Sequence, residues 1–318
     1  MSKKLITVSG AVSGEDAGFC QSHEHLFVSN GRSYEVSPVL WMDDVERSTA
    51  EAKLYRAAGG GTVVDAQPVG CGRMAKELRT VSEASGVNIL SSTGFHKMTF
   101  YQDGHWIFGI SEDALTDLFI SELTEGMFDV CDYAEPDKRT DIKAGLIKAA
   151  LDNCPFDGQY QKLFSAAANA ANETGRTLMV HIEAGSDPLM LLRLLLDKGV
   201  KRERIVFCHT DRACDDPAIR PLLASEGIYL EMDTIGRFKY HSDERECEIL
   251  CELIDKGFEK QLLFSLDTTR ARLKSYTPDA IGLDYLIKSF VPMLRSRGVT
   301  DAQINLISHT NCVEAFGI

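Results

Sequence analysis

The feature that most constrains this chain is a recurring unit: a short apolar, β-branched run, a polar loop, then a longer amphipathic stretch. The strand-like runs are Gly18–Leu26, Thr62–Asp65, Val87–Ser91, Ile142–Lys148, Thr177–Glu183, Arg204–His209, Ile228–Asp233 and Gln261–Asp267. Nearly all are apolar at consecutive positions, which marks parallel strands covered on both faces. Helical patterns lie between them at Ser48–Ala58, Arg73–Ser85, Gly158–Thr174, Asp187–Lys198, Asp215–Ser225, Asp243–Lys256 and Gly282–Arg297. Asp187 (ahead of Pro188) and Asp243 are N-cap candidates, and several helices stop at glycine, as at Gly86, Gly175 and Gly298. Eight such units with no linker predict an α/β fold, a single (β/α)8 TIM barrel over residues 1–318. Such barrels run to about 250 residues plus insertions.

The longest departure is residues 96–139, after the third strand. It holds a helix-like segment, Ser111–Gly126, and the aromatics Phe100, Tyr101, Trp106 and Phe108. An insertion at that point is predicted to sit over the C-terminal mouth, where long loops shape substrate pockets. The net charge of −13 repels phosphate backbones and excludes general nucleic-acid binding. An anionic substrate would therefore need a local basic island. The nine cysteines form no CxxC pair and read as reduced thiols. Met1-Ser2-Lys3-Lys4 leads into no signal-like apolar region, and no stretch approaches the roughly 20 apolar residues of a membrane span. A cytoplasmic protein without membrane contact is the expectation.

In a barrel the C-terminal strand ends converge on one site. His23 and His25 are two residues apart on the first strand, so both rings face one side. Alone, that pair does not separate a metal site from ordinary packing. His181 and His209 end two consecutive apolar runs, and Asp267 ends the last, where it can ligate and carry protons. Asp65 and Asp233 also end strands and rank below it, as supporting or capping residues. Lys148 closes the fourth run; as a bare ammonium it would repel metal ions, and a lysine snorkelling at a strand end is its ordinary reading.

Taken together, Ser-His-Glu-His-Leu (22–26), Gly-Leu-Ile-Lys (145–148), Val-His-Ile-Glu-Ala-Gly (180–185), Phe-Cys-His-Thr-Asp-Arg (207–212) and Ser-Leu-Asp (265–267) resemble the phosphotriesterase family of the amidohydrolase superfamily. Gly-Gly-Gly-Thr-Val-Val-Asp (59–65) and Ser-Thr-Gly-Phe (92–95) extend the likeness over nearly the whole chain. The resemblance implies two divalent metal ions. His23, His25, Lys148 and Asp267 would hold one; Lys148, as a CO2-derived carbamate, would share the second with His181 and His209. Zinc is the expected metal, with manganese, cobalt and iron as alternatives. Gly-Phe-His-Lys (94–97), His-Trp-Ile (105–107), Gly-Arg-Phe-Lys-Tyr-His (236–241) and Asp-Thr-Thr-Arg (267–270) resemble a narrower group acting on phosphorylated sugar lactones.

Two basic clusters fit that group: Arg237 and Lys239 after the seventh strand, and Arg270, Arg272 and Lys274 after the eighth. Barrels frequently bind phosphate there, and Arg and Lys both suit it. Lys239, Arg270, Arg272 and Tyr276 are the phosphate-binding candidates; Tyr276 is included because Leu273 stands where the group has a tyrosine. His96, Lys97 and Tyr101 are further substrate-contact candidates with equally ordinary loop roles. The expected reaction is attack of a metal-bridging hydroxide on a lactone or ester carbonyl, with Asp267 moving the proton. Phosphotriester or phosphodiester hydrolysis at the same metals is the alternative, and a non-catalytic metal-binding protein the remote one. The partner is a small anionic molecule, with homodimerisation left open.

Overall fold

The computed structural model describes residues 3–129, 131–214 and 216–318. A two-stranded antiparallel hairpin, β1 (Lys4–Thr7) and β2 (Gly10–Ser13), precedes the barrel. Eight parallel strands follow: β3 (Phe19–Glu24), β4 (Gly60–Asp65), β5 (Asn88–Gly94), β6 (Leu146–Leu151), β7 (Leu178–Ile182), β8 (Ile205–Cys208), β9 (Tyr229–Met232) and β10 (Leu262–Phe264). Each pairs with its neighbour in sequence, and helices fill the crossovers, giving the (β/α)8 barrel. Among the described residues no helix is long and apolar enough to cross a membrane.

Double-sided burial explains the unbroken apolar runs. One face of the strands contributes Cys20, Val64, Leu90, Leu146, Met179, Val206 and Leu263 to an inner core. Leu5 from the hairpin and Cys312, Ala315 and Phe316 from the C-terminal helix join it. The Arg204 guanidinium donates to the Ala315 and Gly317 carbonyls (3.0 and 2.7 Å), so this helix covers the end where the strands begin. The other face packs beneath the helices, with Val63, Ile89, Ile147, Val180, Phe207 and Leu230 in the outer core.

The last junction, β10 to β3, is made largely by side chains. The His23 amide donates to Ser265 Oγ (2.9 Å), Ser22 Oγ donates to the Phe264 carbonyl (3.2 Å), and the Asp267 amide donates to the His23 carbonyl (3.1 Å). The fully buried Glu24 carboxylate accepts from the Leu266 and Thr268 amides (2.8 and 3.0 Å), with Ser265 Oγ 2.6 Å away. Burial pushes Glu24 up to about 7 while these donors pull the other way.

The predicted helices form with shifted ends. The first spans Val45–Ala57, with the Asp44 side chain accepting from the Arg47 amide as its cap, and Gly158–Thr174 is as read. The helix expected over Asp215–Ser225 runs Ile219–Ser225; Asp215 lies outside the described residues. The fourth barrel strand starts at Leu146 rather than Ile142 and continues to Leu151, so Lys148 sits inside it rather than closing it. Residues 142–144 instead receive the returning insertion: the Met127 amide donates to the Ile142 carbonyl (2.6 Å) and the Ala144 amide to that of Glu122 (2.9 Å). Within 96–139 the longest helix is Glu112–Thr124, tied to the barrel by a buried Arg73–Glu122 pair at 2.6 Å.

Replacing Glu24 with alanine strands the Leu266 and Thr268 amides in a dry seam. At about 1–3 kcal/mol per unsatisfied buried donor, Glu24→Ala is expected to cost roughly 2–6 kcal/mol, read from the urea midpoint. An unchanged midpoint would mean that the backbone alone holds the seam.

Candidate metal centre

Strand alternation sends His23 and His25 to one side of β3, their ring centroids 5.5 Å apart. Around the ring, Lys148 projects from β6 and His181 from β7, while His209 and Asp267 lie just beyond β8 and β10. All six expected ligands line one cavity at the C-terminal mouth. Donor atoms of His23, His25 and Asp267 lie within 4.8 Å of one another, as do those of His209, Asp233 and Asp267. His25 Nε2 is 3.6 Å and His23 Nε2 3.8 Å from Asp267 Oδ1. His209 and Asp267 adopt positive φ (62° and 50°), a backbone region that non-glycine residues enter at a cost. Such conformations gather at functional sites, where the surroundings impose them.

The histidines are oriented from behind. His209 Nδ1 lies 2.6 Å from Asp233 Oδ1, which turns Nε2 to within 2.7 Å of His181 Nδ1. Two imidazole nitrogens that close need a proton or a cation between them. His23 Nδ1 meets Glu231 Oε2 at 3.0 Å and Asp233 Oδ2 at 3.3 Å, so its Nε2 faces the mouth. Burial lowers His25 to about 3 and His181 to about 4, and burial with Arg212 and His181 holds His209 well below its usual value. Neutral imidazole is the metal-binding form. Burial and Lys148 act to lower His23, but Cys208, Glu231 and Asp233 outweigh them and raise it. Asp267 is held well below the carboxylate range: burial acts to raise it, and Arg237, His23, His209 and Arg212 prevail.

Lys148 tests the fit of a metal centre most sharply. It is 1% exposed, and Nζ lies 3.3 Å from His23 Nε2 and 3.8 Å from Cys208 Sγ. Among the described residues it has no carboxylate in ion-pair reach, so an ammonium there lacks compensation. Carboxylation would turn it into an anionic oxygen donor facing the histidines. Gly94 (φ 99°) permits the close strand approach at this point, since a Cβ would overlap the Lys148 carbonyl oxygen.

The other candidates divide. His96 and Lys97 line the cavity with Phe100, and Lys97 pairs with Glu183 at 2.6 Å. Tyr101 does not: it is buried, and its hydroxyl accepts from the His96 amide at 2.8 Å. Trp106 packs into the outer core and Phe108 against it, so among the described residues of the insertion it is His96, Lys97 and Phe100, at its start, that line the cavity. The Arg272 guanidinium donates to the Leu266 and Ile235 carbonyls, and burial first, then Arg237, lowers it to about 9. The Tyr276 hydroxyl engages Ser48 Oγ (2.8 Å) and the Asp44 carbonyl (2.9 Å). Lys239 is exposed over the Tyr240 ring, and Arg270 lies over Trp41 and Tyr276. Asp65 caps, accepting from the Leu26 and Gln67 amides.

Sequence reasoning passed over Glu231, Arg212 and Tyr240. Arg212 bridges Asp233 (3.2 Å) and Asp267 (3.1 Å), and with Tyr240 and Arg237 it walls the cavity. Glu231 carried a usable signal: a carboxylate in the middle of an apolar strand covered on both faces must have a buried partner.

Residues 3–316 match the phosphotriesterase family. The chain is 30% identical over 310 residues to a phospho-furanose lactonase of Mycoplasmopsis synoviae, covering 94% of this chain and 87% of that protein. The fold is similar to that of an amidohydrolase from Mycoplasma synoviae, with a TM-score of 0.94 at 28% identity over 100% of this chain and 92% of that one. It is also similar to a lactonase from Listeria monocytogenes, with a TM-score of 0.88 at 25% identity over 98% of each. A match running almost end to end makes this chain a member of the phosphotriesterase family of metal-dependent hydrolases, and an enzyme acting on ester bonds.

Proposed function

We propose that the chain opens a phosphorylated sugar lactone at a binuclear metal centre, with residues 1–318 acting as one catalytic domain. One observation carries this reading: the six ligand candidates face a single cavity, and Lys239 and Arg270, next in sequence to its lining residues Tyr240 and Thr269, have no carboxylate partner among the described residues. In a chain of net charge −13, unpaired cations beside the mouth are what an anionic substrate needs. The phospho-furanose lactonase relative supports the same substrate class.

His23, His25, Lys148 and Asp267 would hold one ion; Lys148, as its carbamate, would hold the other with His181 and His209. Bound there, divalent cations supply water ionised near pH 7 and a Lewis acid for the carbonyl. Asp267, kept ionised, takes the proton of the attacking water and returns it to the leaving alkoxide. Asp233 and Glu231 fix the ring orientations of His209 and His23. Arg270 and Lys239, whose chain neighbours Thr269 and Tyr240 line the cavity, hold the distal phosphate and so keep the carbonyl over the nucleophile. Arg272 and Tyr276 keep the loop after β10 in shape through the bonds described above.

The test is turnover of phosphorylated sugar lactones against their dephosphorylated forms and an aryl phosphotriester. Preference for the phosphotriester would replace this reading with the alternative. Arg270→Ala is expected to lower kcat/KM on phosphorylated lactones by about 10- to 100-fold, the loss of one charge-assisted contact of about 1.5–3 kcal/mol. Equal losses on both lactone forms would remove the phosphate role. Asp267→Asn should reduce kcat by about 10²- to 10⁴-fold, as for loss of a general acid–base group. Crystals of the zinc-loaded protein should show density for a carboxylated Lys148 between two metal peaks, and a bare amine there would refute the bridging ligand.

A further inference from the structure

Beyond the Asp233 side of the mouth, three residues converge that the hydrolytic reading does not use. Asp211 comes from the helical turn after β8, His241 from the loop after β9, and Glu246 from the first turn of the helix Asp243–Asp255. One donor atom from each lies within 4.8 Å of the other two.

Glu246 is fully buried, no N–H or hydroxyl donor satisfies either of its carboxylate oxygens, and its carboxyl group lies within hydrogen-bond reach of Asp211. His241 Nε2 stands 3.1 Å from Glu246 Oε2 without completing a hydrogen bond, while its Nδ1 is 3.2 Å from the Ser242 carbonyl oxygen. With Nδ1 turned to a carbonyl, the neutral tautomer leaves the Nε2 lone pair facing a carboxylate. Asp211 is anchored by the Arg212 and Thr234 amides (2.8 and 2.6 Å), and each of its oxygens retains a lone pair.

The surroundings add negative charge. Burial, then the charges of Asp211, Asp233 and Asp243, and last a side-chain hydrogen bond with Asp211, raise Glu246 well above the carboxylate range. Asp243 gives one oxygen to the Gly236 amide (2.6 Å) and the other to the Tyr285 hydroxyl (2.7 Å). Arg212 is engaged by Asp233 and Asp267. A buried carboxylate without a counter-charge is costly, so a proton or a cation must offset it.

We propose that Asp211, His241 and Glu246 form a separate binding site for a divalent first-row cation, of which zinc is the test case. Imidazole and carboxylate are both donors to such ions, and three of them leave a fourth position for water. The His241 side chain, 17% exposed, is the side from which the ion enters. The ion would staple the loop after β9, which carries Arg237 and Tyr240 into the cavity wall, to the turn that carries Arg212.

The experiment is elemental analysis of zinc per chain in the dialysed full-length protein and in Glu246→Gln and His241→Gln. Each variant is expected to hold one zinc fewer than the wild type and to melt at a lower temperature in zinc. The difference does not depend on how many ions the mouth holds, so it stands or falls apart from the lactonase reading. Equal zinc content in wild type and variants overturns the site. Equal content with a higher melting temperature for Glu246→Gln would identify a proton shared with Asp211 instead. If Glu246→Gln does not fold, His241→Gln decides between these outcomes, since its partly exposed side chain tolerates replacement.

Discussion

Everything at the mouth depends on how the barrel closes between β10 and β3. β10 is three residues long, and the join is carried by the Ser265 hydroxyl, the Glu24 carboxylate and the Asp267 amide. These contacts span about 240 positions of sequence, and they set Asp267 against His23 and His25. The Asp267 amide is itself part of the seam, with its residue at a positive φ. The contacts that close the scaffold therefore also place Asp267 beside His23 and His25. An insertion or shift at this seam would move a ligand as well as weaken the fold.

A second constraint is electrostatic. The six ligand candidates bring into one cavity four histidines, three of them with lowered pKa and His23 with a raised one, a lysine without a carboxylate partner among the described residues, and an aspartate held well below the carboxylate range. The carboxylates beneath them, Glu231 and Asp233, are buried and bonded to the ring nitrogens that face away from the mouth. That arrangement fixes which nitrogen each of those rings presents. Arg212 and Arg237 then neutralise the Asp233–Asp267 side, so the acidic surface of the protein does not extend into the site.

The barrel class was legible because strand burial on both faces writes unbroken apolar runs, and helices between them write a different period. Five of the six ligand candidates, His23, His25, His181, His209 and Asp267, were legible for a related reason: a residue at the C-terminal end of a barrel strand is carried to the mouth. Lys148, inside β6, entered the set only through the family resemblance. Strand limits were less legible, since Ile142 and Ala144 meet the insertion instead of extending β6.

What the sequence by itself determined, then, is the kind of barrel, which follows from local periodicity, and, with the motifs that carry the family resemblance, the six ligand candidates that line its mouth. Only the tertiary structure decided which cations stay free. Arg272 and Arg270 are two positions apart and alike in sequence, yet one is consumed by backbone carbonyls at Leu266 and Ile235 and the other rests on aromatic rings. The same holds for Tyr276, taken up by Ser48 and Asp44, and for Glu246, whose buried carboxylate is a candidate ligand only once Asp211 and His241 are beside it. A side chain's direction is set by its own strand or helix, but its hydrogen-bond partners come from distant segments, and those partners decide whether its charge is available to a ligand.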